Sequence, residues 1–195
     1  MKKKNSKKNK NYKDEVIPVM GNDICEQLRK ITERLGSNID EGKYLDCWQV
    51  MKNISTPGYL KNSLIALVGQ DYNGRTSKAK VNNDFKGIYL FVKGETPVYV
   101  GISRRACERI RGHFARNSKN SSSWIYAMLK EKVGADEVSS WDQQRLSNEI
   151  KEYRTEYFED LRLTACLVHD SYILHMAEAF AAVQFKTKWN SFKTH

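Results

Sequence analysis

The chain has 195 residues and a mass of 22.6 kDa, with 40% apolar residues and a formal charge of +10 at pH 7. That apolar share supports a packed core in one domain of ordinary size and excludes global disorder. No window approaches the roughly 20 apolar residues that span a bilayer, and no apolar run follows the N-terminal lysines, so neither a membrane segment nor a secretory signal is expected.

The charge is unevenly spread. Residues 1–13 carry seven lysines, Lys7 and Lys8 among them, and no acid, which leaves only +3 on the rest of the chain. This tail reads either as a plain disordered terminus or as a solvated arm that meets phosphates. The four cysteines, at 25, 47, 107 and 166, form no CxxC pair and no zinc framework. Reduced, mostly core cysteines in a cytoplasmic protein are expected.

In chain order, Asn22 or Asp23 can cap a first helix carrying Ile24, Leu28, Ile31 and Leu35, with Gly36 stopping it. Asp40 can cap a second, with Tyr44, Leu45, Trp48, Met51 and Ile54 inward, and Pro57-Gly58 breaks it. Leu60 to Val68 reads as a third short helix. The polar stretch 69–86 reads as a loop, so residues 14–85 form a helical N-terminal extension and 86–195 a second unit. There the period changes. Ile88, Leu90 and Val92 alternate with Tyr89 and Phe91, and Val98, Val100 and Ile102 with Tyr99 and Gly101, predicting a β-hairpin about Gly94. Ser103 can cap a helix to about Arg116. Two further helices are expected over 124–133 and 141–157, a third strand over Leu161 to Leu167, and a last helix from Ser171 to Phe185.

The hairpin and the helices carry the candidate chemistry. With Gly94 at the turn centre, Tyr89 pairs directly with Tyr99 on one sheet face, and Ile88, Leu90, Val98 and Val100 fill the other. On the next helix Ala106, Ile110 and Phe114 form a core stripe. Arg105, Arg109 and His113 form a neighbouring one. That second stripe is either a solvated basic face or a phosphate-handling surface, the guanidinium offering a fork and the imidazole a titratable group. Glu178 lies in the apolar run 173–183, where a carboxylate must be paired, protonated or bound to a cation. It is either the partner of a buried Arg or a metal ligand. Glu149, Glu152, Glu156 and Glu159 are competing acids in a helix that reads as solvated.

These residues resemble the GIY-YIG nucleases. Gly87-Ile88-Tyr89 and Tyr99-Val100-Gly101 are similar to the two name-giving motifs. Arg109 follows Tyr99 by the family's spacing for its catalytic arginine, His113 matches a position that is often His or Tyr, Glu178 looks like the metal-binding glutamate, and Trp189-Asn190 looks like the closing Asn motif. The resemblance covers about residues 86–192, and the stretch from Arg109 to Glu178 is longer than in compact members. It implies an α+β fold, a small three-stranded antiparallel sheet flanked by helices, and Mg²⁺- or Mn²⁺-dependent hydrolysis of a DNA phosphodiester. No small-molecule cofactor is implied. In that reading Glu178 holds the metal, Arg109 stabilises the transition state, and Tyr89, with His113, takes the proton of the attacking water. Tyr99 positions water or phosphate, and Asn190 holds the site together. Arg105, Arg116, Lys7 and Lys8 are the expected nucleic-acid contacts. DNA is the expected partner, with a homodimer possible. A stand-alone restriction-type enzyme fits the chain's organisation best. A phage, mobile-element or repair nuclease and a non-catalytic nucleic-acid binder are the alternatives.

Overall fold

The computed structural model describes residues 21–69, 84–119 and 122–190, the side chains of 21 and 22 excepted. The tail with Lys7 and Lys8 and most of the expected polar loop lie outside the described residues. The elements are α1 (Gly21–Asp40), β1 (Leu45–Asp46), α2 (Cys47–Lys52), α3 (Tyr59–Val68), β2 (Gly87–Lys93) and β3 (Thr96–Ser103). There follow α4 (Ala106–Ala115), α5 (Ser123–Val133), α6 (Ala135–Ser140), α7 (Gln143–Tyr157), β4 (Leu161–Leu167) and α8 (Ser171–Gln184).

The fold is α+β, with one antiparallel sheet in the order β1-β4-β2-β3. Four strands replace the expected three. The extra one is Leu45–Asp46, paired with Leu163 and Arg162, where the apolar spacing predicts helix. Two local signals cut that helix. Gly42 takes φ +73°, and Lys43 N–H reaches Asn38 O while Gly42 N–H reaches Ile39 O, a Schellman ending for α1. Asp46 then accepts from Gln49 N–H and starts α2 at Cys47. Gly36 does not stop α1. The helix runs one further turn, because Asn38 is buried against β4 and donates to Thr164 Oγ1 at 3.2 Å. The short helix α6 was not expected.

Helices cover both faces of the sheet. On one face Tyr89, Phe91, Val98 and Tyr99 pack with Ile110 and Trp124. On the other, Ile88, Leu90, Val92 and Val100 pack against α1 and α8. β2 is central and buried from Gly87 to Val92, which is why it reads as an unbroken apolar run. Val98 lies on the tyrosine face, contrary to expectation. Phe91 pairs with Tyr99 but Val92 with Pro97, so Val98 is the extra residue of a β-bulge. Two consecutive residues there turn to one side. Among the described residues no helix is long and apolar enough to cross a membrane.

Candidate active site

The bulge corrects the hairpin register. Tyr89 pairs with Gly101, and Tyr99 with Phe91. The two tyrosines are therefore diagonal neighbours rather than direct partners. They still share a face, since a shift of two positions preserves the alternation of side chains. Their ring centroids are 6.3 Å apart. Gly101 is required beneath Tyr89, for a Cβ at 101 would collide with the hydroxyl end of the phenol. Gly87 is required likewise, for its Cβ would collide with the carbonyl oxygen of Cys166.

α4 brings the arginine. Its start is fixed by Asp84, which accepts from Cys107 N–H at 2.8 Å and Glu108 N–H at 3.1 Å. Ser103, the expected cap, instead accepts from Arg105 N–H. The expected basic stripe divides by depth. Arg105 is exposed and paired with Glu108. Arg109 is half-buried and hydrogen-bonded to both Tyr89 and Tyr99. His113 is fully buried. A solvated face thus describes Arg105 but not the other two.

The phenols are deep and perturbed. Tyr89 is wholly buried and Tyr99 nearly so. Burial pushes both hydroxyls above the ordinary tyrosine value, and the Arg109 charge pulls them back. Behind Tyr89, His113 Nε2 lies 2.9 Å from its hydroxyl, and Trp124 Nε1–H donates to His113 Nδ1 at 3.1 Å.

Glu178 comes from α8, which Asp170 caps through Tyr172 N–H and Ile173 N–H. Its carboxyl is raised above the usual range by burial, and is drawn back by His175 and Arg109. Its charge acts on both phenols. The buried guanidinium among the described residues is Arg154. It donates to Phe114 O, Arg116 O and Ser122 Oγ, so Glu178 is not its counter-ion. Among the competing acids Glu152, Glu156 and Glu159 are exposed and Glu149 is half-buried. No described cluster of three His, Cys, Asp or Glu could chelate a metal. Glu178 is the half-buried carboxylate whose charge reaches Tyr89, Tyr99 and Arg109.

Asn190 acts on the backbone. Its Oδ1 accepts from Val100 N–H and its Nδ2 donates to Val100 O, each at 2.7 Å. Thr187 Oγ1 orients the amide. Asn190 therefore pins the outer strand between Tyr99 and Gly101.

Arg109 also lines a cleft of about 380 Å³ with Ser103, Arg104, Arg105, Glu108, Gly112 and Arg116. Arg105 and Arg116 also line a second groove, between α4 and the 54–61 segment, with Lys61 and Arg111. The structure thus couples Tyr89, Tyr99, Arg109 and Glu178 electrostatically, bonds His113 to Tyr89, and sets Asn190 on the backbone of Val100. In the sequence reading Asp84 belongs to the polar loop and Trp124 to the 124–133 helix, and neither is a candidate site residue. Each looks like an ordinary loop acid or core aromatic until the fold supplies its partner. Comparison of the chain with protein-family models, curated proteins and solved structures finds no match.

Proposed function

We propose that this chain is a metal-dependent endonuclease that hydrolyses DNA phosphodiester bonds in the manner of the GIY-YIG nucleases, as a restriction-type enzyme. One observation carries the reading: a half-buried guanidinium bonded to two buried phenols, with a carboxylate whose charge acts on all three.

A guanidinium has five N–H donors, so Arg109 can bond both phenols and still offer a fork to a phosphate entering the cleft of about 380 Å³. Tyr89 is the base. As phenolate it takes one proton from water as the water oxygen bonds to phosphorus and the opposite P–O bond breaks. Tyr99 orients the water or the phosphate through its hydroxyl. Glu178 fits a hard divalent cation, since Mg²⁺ keeps most of its waters and needs only one or two carboxylates, and a carboxyl raised by burial gains from a cation beside it. Bound there, Mg²⁺ or Mn²⁺ would supply charge neutralisation at the phosphate and the leaving oxygen.

The test is digestion of supercoiled plasmid with Mg²⁺, with Mn²⁺ and with EDTA. Metal-dependent discrete bands support the restriction-type reading. A smear supports a nuclease of another trade. Retarded but uncut DNA in all three would make the chain a binder and remove the catalytic reading.

A further inference from the structure

Trp124 is fully buried and its indole is clamped by rings. Tyr99 stacks on it at 5.6 Å and 14°, and Phe158 at 6.0 Å and 10°. So constrained, its Nε1–H points at His113 Nδ1, 3.1 Å away. An indole N–H only donates, so Nδ1 must present its lone pair. The ring proton of His113 is then on Nε2, the atom 2.9 Å from the Tyr89 hydroxyl oxygen. The direction of the second bond follows from the first: His113 donates and Tyr89 accepts. A doubly protonated imidazole would set two N–H groups against each other at Nδ1.

We propose that Trp124 is a positioning residue that locks His113 as an Nε2–H donor to Tyr89, so that His113 supports the phenolate and does not itself take the proton. The lock stands on geometry alone. Its catalytic value rests on the nuclease reading above. A donor on the phenolic oxygen stabilises the anion, which the buried, mostly apolar setting of Tyr89 otherwise disfavours. Around Tyr89 the charged and titratable groups are Tyr99 from β3, Arg109 and His113 from α4, and Glu178 from α8. Arg109 and His113 favour the phenolate, and Tyr99 and Glu178 oppose it. This revises the expected shared role of Tyr89 and His113. The histidine works behind the tyrosine, and the proton of the attacking water stops at Tyr89 Oη.

The test uses the full chain labelled with ¹⁵N, and long-range ¹H–¹⁵N spectra that separate protonated from bare ring nitrogens. The His113 signals are identified by their loss in His113→Gln. The native protein should show Nε2 protonated and Nδ1 bare, and Trp124→Phe, which keeps a stacking ring but has no donor, should give a mixture of tautomers or a titrating imidazole. A protonated Nδ1 in the native protein, or an unchanged pattern in Trp124→Phe, overturns the lock. In cleavage at saturating DNA, Trp124→Phe should be slower by about tenfold or more. A Gln amide donates to Tyr89 from near the Nε2 position without any tautomer to choose. His113→Gln sets its own, lower rate, and adding Trp124→Phe to it should cost little more. An equal loss on both backgrounds would make Trp124 a packing residue and sink the proposal, whatever either variant does to the melting point. A native chain that cuts no DNA would end the nuclease reading, and the spectra would still decide the lock.

Discussion

Tyr89 fills the space that a side chain at position 101 would need, so the phenol and the glycine opposite it are one structural unit. Gly101→Ala should therefore act twice. The added methyl must displace the ring, at an overpacking cost of about 1–3 kcal/mol, and the hydroxyl moves off His113 Nε2 and Arg109. Urea unfolding should show the first effect, and a fall in saturated cleavage rate, larger than the stability loss accounts for, the second. An alanine variant with native stability and rate would mean the ring is free to yield.

Arg109→Lys keeps the charge but loses the fork. One ammonium cannot bond two phenols and two phosphate oxygens in fixed geometry. The expected loss in saturated cleavage rate is on the order of a hundredfold or more, as for removal of a preorganised transition-state donor. DNA affinity, measured by fluorescence anisotropy, should change far less.

Glu178→Gln separates metal binding from folding, and its pH dependence has a definite sign. Burial raises the carboxyl in the folded chain, so the folded state favours the protonated form. That contribution is complete below the ordinary carboxyl value and is lost as pH rises through the folded one. At neutral pH the ionised carboxylate opposes folding. The Gln variant should melt at the same temperature or a few degrees higher at pH 7.5, with the gap closing as pH falls toward the ordinary carboxyl range. Stabilisation by Mg²⁺ and cleavage should both disappear. A variant that melts well below the native chain would show that the charge has a structural partner.

Lys61 and Arg111 line the groove between α4 and the 54–61 segment. If DNA lies there, changing both to Ala should lower the slope of log affinity against log salt by about 2, since each phosphate contact contributes roughly one counterion. The cleavage rate at saturation should stay native. An unchanged slope would exclude this groove from the DNA path.

Arg154 is buried, and burial lowers its guanidinium to about 10. It stays in place through bonds to the carbonyls of Phe114 and Arg116 at the end of α4. Arg154→Met should leave the Phe114 carbonyl unpaired, at a cost of about 1–3 kcal/mol. Hydrogen exchange should accelerate first in the last turn of α4. Uniform exchange across the chain would mean the bond does not anchor that helix.

The parts of this site that a sequence reveals are those encoded by short periods. Tyr89 and Tyr99 share a face at even separation in either register, so their placement survived an incorrect pairing. The pairing itself depended on a bulge at Val98, and one valine among alternating apolar residues carries no mark of being the extra one. The first strand was hidden for the opposite reason. Two residues show no period, and Leu45 fits a helical stripe as well as a pair with Leu163. Arg109, His113 and the core stripe of α4 followed from the four-residue repeat. The depth of each did not, because depth depends on which helices cover the sheet. Asp84 and Trp124 serve α4 and His113 from outside their elements, and no local pattern points to a partner about 11 to 24 residues away.

Trp189 N–H bonds Val98 O, and Asn190 takes both polar groups of Val100, along the outer side of β3. At the other margin the two-residue β1 covers only Arg162 and Leu163 of β4. Among the described residues β3 therefore presents no long row of vacant amides on which a foreign strand could grow, the usual starting point for ordered aggregation. Asn190→Ala reopens the middle of β3, so its first consequence on mild heating should be self-association, visible by light scattering before the helices melt.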